Sequence, residues 1–310
     1  MARVAFLLAG QGAQKPGMGR SLYEHSPAAR ALFDTLEAIR PGTLEMCFSG
    51  SAQELSQTAN TQPCVFAVDM ACAAAAQEAG LVPAFLAGFS LGELAGVALS
   101  GMLPVEDAFR LVIRRAELMD ECAKAHPGAM LAVLKLEAAR VEALAREFSQ
   151  VYPVNYNSPG QTVVACASEE ADAFASRVQA EGGRAMRLKV SGGFHSPFMQ
   201  NAQAGLAEAL KSAPLAAPRI PLYANQTALP YSLETARECL AGQVAHPVRW
   251  QQTVEKMIEA GVDTFVEVGA GKTLCGLIKK TSRAVKVYNV EDAETLSAAV
   301  QAIRAEGENA

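Results

Sequence analysis

Two short apolar runs and one strand-like segment, each of which leads into a glycine turn, define the expected core of the fold. The first covers residues 4–9 and ends in the loop 10–14 (GQGAQ). The second, residues 84–88, passes at once into an alanine-rich helical pattern, and the third, residues 264–268, enters 269–272 (GAGK). Continuous apolar runs of this length are typical of buried parallel strands. We therefore predict an α/β fold with a mostly parallel sheet, whose glycine loops lie at one edge.

A different order occupies residues 128–189, where strand and helix patterns follow one another as βαββαβ. The predicted strands cover residues 129–135, 151–156, 161–167 and 184–190, and the predicted helices cover 137–148 and 169–181. Residues 157–160 (NSPG) favour a hairpin turn between the middle strands. This order is typical of a split βαβ, or ferredoxin-like, unit. We interpret it as an insertion into the main α/β domain.

Helical periodicity predicts helices at residues 62–79, 105–125 and 250–260, and the second of these contains an anomalous cation. Arg115 falls on its apolar stripe, three residues after Val112 and four before Met119. A guanidinium that faces inward needs a partner. Arg115 therefore either pairs with a structural carboxylate or reaches a pocket, where it binds a substrate carboxylate through two parallel hydrogen bonds.

The second apolar run ends in Gly-x-Ser-x-Gly at residues 88–92. A strand before and a helix after this pentapeptide are typical of a nucleophile elbow, whose sharp turn exposes the serine at the carboxyl edge of the sheet. Ser90 is the predicted nucleophile. The backbone N–H of Leu91, at the start of the helix, is a predicted oxyanion donor. The alternative is that the motif occurs by chance in a glycine-rich chain.

A serine nucleophile needs a base, and the chain contains four histidines. His195 lies in a glycine-hinged loop after a predicted strand, which favours it as the base. His126 has the sequence context of a helix C-terminal cap, and His246 stays open as an alternative. His25 precedes the serine, against the chain order of α/β hydrolases.

The first glycine loop also carries two glutamines. Gln11 and Gln14 lie beside the predicted elbow, where a glutamine either contributes an oxyanion N–H and fixes a carbonyl, or simply caps the loop. The loop lacks the third glycine of a dinucleotide fingerprint, because Lys15 stands there. The later GAGKT segment lacks the first glycine of a P-loop, because Val266 stands there. Nucleotide binding is therefore disfavoured.

Composition and charge narrow the class of protein further. A net charge of −5 over 310 residues argues against nucleic acid as the main partner. Seven cysteines without a C-x-x-C pair argue against a disulfide framework or a zinc site and fit a reducing compartment. No run approaches the roughly 18 apolar residues of a membrane span, and the N-terminus does not have the pattern of a signal peptide. We expect a cytoplasmic protein.

Several of these segments together resemble malonyl-CoA:acyl carrier protein transacylases. They are residues 10–14 (GQGAQ), 88–93 (GFSLGE), 113–117 (IRRAE), 155–161 (NYNSPGQ), 194–196 (FHS) and 267–269 (EVG). The resemblance extends over nearly the whole chain. It implies an α/β-hydrolase-like catalytic core, residues 1–127 and 190–310, with the ferredoxin-like insertion at 128–189.

The resemblance also implies roles for the reacting groups. Ser90 is acylated and His195 is its base, while the backbone N–H groups of Gln11 and Leu91 form the oxyanion hole. The backbone carbonyl of Arg249 orients His195 in place of the carboxylate that hydrolases use, since a neutral acceptor also fixes the imidazole tautomer. Neither a cofactor nor a metal is implied.

On the substrate side, the resemblance implies that Arg115 holds the malonyl carboxylate and that Phe194 and Asn157 contribute to substrate binding. Phe194 matches family members that choose malonyl, whereas those that choose methylmalonyl usually have serine there. Two positions depart from the family pattern. Phe89 stands where histidine is usual and Ala270 where proline is usual, and we expect these to alter packing and not chemistry.

The implied reaction is ping-pong transfer of a malonyl group from malonyl-CoA to the phosphopantetheine thiol of acyl carrier protein, in fatty acid or polyketide synthesis. The alternatives are a serine thioesterase or hydrolase on the same core, or a carrier-protein docking module without turnover. For the acidic carrier protein we predict a basic docking surface. Its members are Lys279 and Lys280, with Lys272, Arg187 and Lys189 as neighbours.

Overall fold

The computed structural model describes residues 2–190 and 192–308. Its strands form two separate sheets. In chain order the strands are β1 (Val4–Leu8), β2 (Phe85–Gly88), β3 (Gly128–Leu134), β4 (Val151–Ser158), β5 (Gln161–Ala167), β6 (Arg184–Arg187), β7 (Leu222–Tyr223), β8 (Thr264–Val268) and β9 (Lys286–Val290).

Helices cover the faces of both sheets. In chain order they are α1 (Arg20–His25), α2 (Pro27–Ile39), α3 (Thr43–Ser49), α4 (Ala52–Leu55), α5 (Thr58–Glu78), α6 (Leu91–Leu99), α7 (Val105–Ala125), α8 (Ala138–Ala145), α9 (Ala171–Ala180), α10 (Gln200–Leu210), α11 (Leu233–Gly242), α12 (Trp250–Glu259), α13 (Thr273–Thr281) and α14 (Ala293–Glu308). Short 3₁₀ turns occupy Pro197–Met199 and Gln243–Ala245.

The larger sheet is parallel throughout, in the order β7-β2-β1-β8-β9. Leu8, at the end of β1, is in register with Gly88 on one side and Val268 on the other. The loops after β1, β2 and β8 therefore leave the sheet at the same edge, because parallel strands end together. The predicted parallel sheet and its shared glycine edge are confirmed.

The smaller sheet is antiparallel, in the order β4-β5-β3-β6. Its elements follow one another as β3-α8-β4-β5-α9-β6, which is the βαββαβ order predicted for residues 128–189. Two hydrogen bonds with Val248 join β4 to the rest of the molecule, since Tyr156 N donates to the Val248 carbonyl at 2.9 Å and Val248 N donates to that of Val154 at 2.8 Å.

Alternate side chains of β1 pack into two different hydrophobic cores, one on each face of the sheet. Phe6 and Leu8 lie in the larger core, with residues of α2, α5 and α7, whereas Ala5 and Leu7 lie in a second core with residues of α12 and α13. A third core lies between the small sheet and its two helices. Burial on both faces is the reason that the β1 run reads as continuously apolar.

The structure differs from prediction mainly at element ends. Helix α5 begins at Thr58, although Pro63 suggested a later start. Pro63 has no N–H for the carbonyl of Ala59, and Arg40 donates to that oxygen instead, at 3.5 Å. Strand β4 runs on to Ser158, which narrows the predicted hairpin turn to two residues, and β6 ends at Arg187 rather than at residue 190. Ser191, in the predicted histidine loop, lies outside the described residues.

Candidate active site

Ser90 occupies the turn between β2 and α6 with a strained backbone. Its φ of 52° and ψ of −104° lie where a residue with a side chain seldom sits. The glycines on either side make the turn possible. A Cβ on Gly88 would approach the carbonyl oxygen of Gly92 to 2.0 Å, so no side chain fits there. The turn therefore has the geometry expected of an elbow, with Ser90 only 9% exposed.

Asn225, which follows β7, holds this strained turn from the neighbouring strand. Its side-chain oxygen accepts a hydrogen bond from Ser90 N at 2.7 Å, and its Nδ2 donates to the carbonyl of Gly88 at 2.6 Å. One amide thus binds the backbone on both sides of the elbow. Hydrogen bonds of this kind are what keep an unfavourable backbone conformation populated.

His195 faces Ser90 from the loop between the small sheet and α10. Its Nε2 lies 2.7 Å from Ser90 Oγ, and its backbone is also left-handed, with a φ of 62°. The backbone N–H of His195 donates to the Val244 carbonyl at 2.9 Å, which anchors the loop. Burial, and secondarily the charge of Arg115, lowers the pKa of His195 to about 4. The imidazole is therefore neutral near pH 7 and can accept a proton.

The other ring nitrogen of His195 contacts two backbone carbonyls. Nδ1 lies 2.9 Å from the Gln243 oxygen and 3.2 Å from the His246 oxygen. Carbonyls only accept hydrogen bonds, so Nδ1 carries the proton and Nε2 presents its lone pair to Ser90. The prediction that Arg249 supplies this carbonyl is wrong. The Arg249 carbonyl instead accepts the first backbone hydrogen bond of α12, from Thr253 N, and a second one from Thr253 Oγ1.

Arg115 is buried on α7 as its spacing predicted, but its partners are neutral. Nη1 donates to Gln62 Oε1 at 2.7 Å, while Nη2 donates to Gln243 Oε1 at 2.8 Å and to Ser90 Oγ at 3.1 Å. Its Nε has no acceptor among the described residues. Burial lowers the pKa of Arg115 to about 10, which still leaves it cationic at neutral pH. The side chain is thus a cation held by amide oxygens, with donor capacity left over.

Glu93 lies in the first turn of α6, behind the nucleophile, and is 1% exposed. One carboxylate oxygen accepts from Tyr231 Oη at 2.6 Å and from Asn225 N at 3.0 Å, and the other accepts from Gln243 Nε2 at 2.6 Å. Burial raises the pKa of Glu93 to about 7, while these hydrogen bonds and the charge of Arg115 oppose the shift.

The two predicted oxyanion donors lie at the same sheet edge. Leu91 is the first residue of α6, and Gln11 follows β1 and lines the cavity beside Ser90. Among the described residues, neither backbone N–H has an acceptor. Gln14 caps the loop, since its Oε1 accepts a hydrogen bond from Gly12 N at 2.7 Å.

A cavity of about 460 Å³ opens above Ser90. Apolar and polar side chains line it, including Met130 and Asn157 from the small sheet, Met119 from α7, Leu277 from α13 and Phe194 from the loop before His195. The side-chain oxygen of Asn157 is buried without a partner among the described residues, so it is available to a bound molecule. Phe89 also lines the cavity and packs edge-on against Trp250, with 5.4 Å between the ring centroids.

The remaining candidates have structural surroundings. His126 follows α7, and its backbone N–H donates to the Cys122 carbonyl at 2.9 Å, as in a helix cap. His246 Nδ1 lies 2.8 Å from the Gly242 carbonyl, and the structure brings His195 to the serine instead. Within residues 2–190 and 192–308, no cluster of three metal-ligating side chains occurs, and no helix is both long and apolar enough to span a membrane.

Sequence reasoning missed three side chains of the site, namely Gln62, Asn225 and Gln243. All are buried amides, at most 1% exposed, that come from separate parts of the chain. A signal for Gln62 was present, since it is a polar residue that enters an apolar helix. Asn225 and Gln243 follow no periodic pattern, so only the tertiary structure identifies them.

Comparison with known proteins shows the family of the chain. The model of a family described as the acyl transferase domain matches residues 5–307. The malonyl CoA-acyl carrier protein transacylase of Bacillus subtilis is 37% identical over 318 aligned positions, which span all of both chains. The solved transacylase of the same description from Clostridium perfringens is 32% identical, with a TM-score of 0.95 over 99% of this chain and 98% of that one.

A further solved structure contains a malonyl-transacylase in complex with a type II polyketide synthase acyl-carrier protein. It is 32% identical to this chain, with a TM-score of 0.93 over 97% of this chain and 100% of that one. Sequence and structural similarity thus extend over the full length and include the segments around Ser90, Arg115 and His195. The chain belongs to the malonyl-CoA:acyl carrier protein transacylase family of acyl transferase domains.

Proposed function

We propose that this protein transfers a malonyl group from malonyl-CoA to the phosphopantetheine thiol of an acyl carrier protein, through a malonyl ester on Ser90. It thereby supplies extender units for fatty acid or polyketide synthesis. The proposal rests on two contacts of Ser90 Oγ, which lies 2.7 Å from His195 Nε2 and 3.1 Å from Arg115 Nη2. A nucleophile beside both a neutral base and a buried cation suits an acyl thioester that ends in a carboxylate.

Acylation begins with proton transfer from Ser90 Oγ to His195 Nε2. The oxygen adds to the thioester carbonyl carbon, and the tetrahedral intermediate then breaks its carbon–sulfur bond. The proton held by His195 passes to the sulfur of coenzyme A, which leaves as the thiol. Nδ1 stays bonded to the Gln243 and His246 carbonyls throughout, and these oxygens stabilise the transient imidazolium.

The oxyanion of the intermediate is assigned to the backbone N–H groups of Gln11 and Leu91. Their lack of acceptors among the described residues supports this role, and Leu91 adds the positive end of the α6 dipole. In the second half-reaction the carrier thiol gives its proton to His195 and attacks the ester carbonyl. The thioester forms as the bond to Ser90 Oγ breaks, and His195 returns the proton to that oxygen.

Selection of malonyl is assigned chiefly to Arg115. Its guanidinium is cationic but bonded only to neutral oxygens, so an incoming carboxylate supplies the missing anionic partner. An acetyl group offers no such partner. Phe194 and Asn157 line the same cavity, where Phe194 limits the space for a branched acyl chain and Asn157 offers an unpartnered oxygen.

A serine thioesterase or hydrolase would use the same serine and histidine, with water as the second acceptor. The family comparison does not favour that alternative.

The acyl carrier protein is proposed to dock on the basic residues around the cavity mouth. Lys189 lines the cavity, and Lys280 Nζ donates to the lining residue Gln161 at 2.8 Å. Lys279 and Lys280 are exposed in the last turn of α13. A local cluster of this kind attracts an acidic partner even though the whole chain is acidic.

At the level of architecture, we assign residues 1–127 and 190–310 to an α/β-hydrolase-like core and 128–189 to a ferredoxin-like insertion. The strand order β4-β5-β3-β6 and the serine turn at the carboxyl edge of the parallel sheet support these assignments. A cytoplasmic location is consistent with the seven cysteines, which are all unpaired.

A two-step experiment tests the proposed activity. The protein is incubated with malonyl-CoA and freed of excess substrate, and the acyl-enzyme is then divided between buffer and buffer with holo acyl carrier protein. Transferase activity predicts a stable adduct in buffer and rapid appearance of malonyl on the carrier. Loss of the adduct to water at the same rate in both samples would establish the hydrolase instead. Absence of both an adduct and released coenzyme A would refute both activities.

A further inference from the structure

Glu93 takes no part in the steps above, yet it sits at the centre of the hydrogen bonds behind the elbow. We propose that Glu93 is a positioning residue for acyl-group selection. Its carboxylate fixes the orientation of the Gln243 amide, and that amide holds Arg115 where a malonyl carboxylate meets it. The inference rests on the proposed malonyl transfer and adds to it a residue that governs substrate choice without contacting substrate.

The Gln243 amide is buried between one cation and two hydrogen-bond acceptors. Its Nε2 donates to the Ser90 carbonyl at 2.5 Å and to Glu93 Oε2 at 2.6 Å. Its Oε1 accepts from Arg115 Nη2 at 2.8 Å. A carbonyl and a carboxylate oxygen only accept, and a guanidinium only donates. The amide therefore has one orientation that satisfies all three neighbours.

The Glu93 carboxylate is itself held in place from its other side. Oε1 accepts from Asn225 N at 3.0 Å and from Tyr231 Oη at 2.6 Å. The Asn225 backbone N–H is an obligate donor, so an oxygen must remain opposite it. With Oε1 held there, Oε2 faces Gln243. The contacts that run from Asn225 through Glu93 and Gln243 to Arg115 therefore have a single consistent hydrogen-bond pattern.

An isosteric amide at position 93 would break that pattern. In Glu93→Gln, the new side-chain oxygen stays opposite the Asn225 N–H and the new NH₂ group faces Gln243. The Gln243 amide then either keeps its orientation, with NH₂ against NH₂, or flips. When flipped, it turns its NH₂ toward Arg115 and its oxygen toward the Ser90 carbonyl. In the first case Gln243 is left with an unsatisfied contact to residue 93, and in the second Arg115 loses its hydrogen bond to Gln243 Oε1. Either way the guanidinium is held less firmly, because a partly unsatisfied buried network is disordered.

The groups around the carboxylate favour its charged form above neutral pH. Arg115 is the cation whose field acts on Glu93, and Tyr231 and Cys239 are the titratable neighbours on the other side. Burial raises the pKa of Glu93 to about 7, so the comparison is made at about pH 8, where the carboxylate is ionised.

The test compares kcat/KM for acylation by malonyl-CoA with that by acetyl-CoA, in wild type and in Glu93→Gln. Acetyl transfer uses the same serine and histidine, including the contact of Ser90 with Arg115, but offers Arg115 no carboxylate. The ratio therefore isolates the effect on carboxylate binding. We expect the ratio to fall about tenfold or more, as for the loss of one hydrogen bond to a charged group. A general structural defect would lower both rates alike and leave the ratio unchanged.

Tyr231→Phe provides the matched control. It removes a hydrogen bond from the same carboxylate, but from the oxygen that faces away from Gln243. Loss of this bond raises the pKa of Glu93 further, so this variant and wild type are compared at about pH 9. We expect the variant to lose thermal stability while its malonyl-to-acetyl ratio stays near that of wild type. An equal fall of the ratio in Tyr231→Phe would mean that any loss in the network has this effect, which contradicts a specific role for Oε2.

A second variant tests the route through Gln243 and stands even where Glu93→Gln folds poorly. Gln243→Met removes the amide while keeping side-chain length, and the same fall in ratio is expected. Adding Glu93→Gln to that variant should then cause no further change in the ratio. A retained ratio in Gln243→Met, or an unchanged or increased ratio in well-folded Glu93→Gln, overturns the inference. Failure of wild type to accept malonyl at all would instead overturn the proposed function.

Discussion

Gly92 lies against the carbonyl oxygen of Leu8, so closely that a Cβ on Gly92 would come within 2.2 Å of that oxygen. Gly92 belongs to α6 and Leu8 ends β1, so this contact sets the approach of the elbow helix to the central strand. A backbone carbonyl in the middle of a sheet has no rotamer by which to move away. The second glycine of the elbow is therefore required by close packing and not by its φ angle.

Replacing that glycine should separate the helix from the strand. We predict that Gly92→Ala lowers the free energy of unfolding by about 3 kcal/mol and abolishes acylation, because the overlap displaces the turn that carries Ser90. Gly276→Ala is the matched control, since Gly276 is also helical but a Cβ there would meet nothing within 4 Å. The control should gain about 0.5–1 kcal/mol. Urea unfolding of both variants checks the pair, and equal stabilities would contradict the packing argument.

Arg115 should determine which acyl groups are accepted. We predict that Arg115→Ala loses about a hundredfold in kcat/KM for malonyl-CoA, because the buried partner of the carboxylate is gone. Acetyl transfer should fall much less, since acetyl has no carboxylate to pair. Arg115→Lys should restore malonyl transfer only partly, because a point charge lacks the paired geometry. Equal losses for both substrates in Arg115→Ala would make Arg115 a structural residue only.

The acid limb of the pH profile should report His195. Burial holds its pKa near 4, below the ordinary value of 6.5, so the base stays neutral in mild acid. As the pH falls through the folded-state pKa, the ring takes up a proton and can no longer accept the one on Ser90. We predict that kcat/KM for acetyl-CoA, which offers Arg115 no carboxylate, declines with an apparent pKa well below 6.5.

The same shift affects stability with a defined sign. Between about pH 6.5 and pH 4 the unfolded chain binds a proton at His195 that the folded chain does not, so stability falls as the pH falls through this window. Circular dichroism must therefore accompany the kinetics, to show that the protein is still folded. An acid limb at pH 6.5 or above, in folded protein, would contradict a buried neutral base.

Docking of the carrier protein should depend on the end of α13. We predict that reversing Lys279 and Lys280 to glutamate raises KM for acyl carrier protein about fivefold at low salt, and less at high salt, while KM for malonyl-CoA changes little. Lys211→Glu is the control, since Lys211 is an exposed lysine at the end of a different helix, α10. An unchanged KM in the double variant would place the docking surface elsewhere.

Much of the fold was predictable because its signals are local. The continuously apolar run of β1 reflects burial on both faces, and the stripe that contains Arg115 reflects the 3.6-residue period of α7. The start of α5 was not predictable in the same way. Pro63 lies in its second turn, and Arg40, from a separate helix end, donates to the carbonyl that the proline leaves free.

The carbonyl that orients His195 shows where sequence reasoning stops. Arg249 and Gln243 are six residues apart on the same connection, and no property of either residue type says which backbone oxygen points at the ring. The Gln243 carbonyl, at the start of the 3₁₀ turn Gln243–Ala245, faces the ring of His195, while that of Arg249 accepts a hydrogen bond from Thr253 in the first turn of α12. Such directions depend on backbone geometry, which the side-chain pattern does not encode.

The proposed acyl transfer is tested most directly by locating the malonyl group on the protein. Wild-type protein is incubated with malonyl-CoA, and intact-mass and peptide analysis measure how many malonyl groups are bound and where. We expect one malonyl group per chain, on Ser90. It should disappear when holo acyl carrier protein is added, and it should be absent in a folded Ser90→Ala variant. A malonyl adduct on another residue, or undiminished transfer to carrier protein by Ser90→Ala, would contradict the proposed acyl transfer.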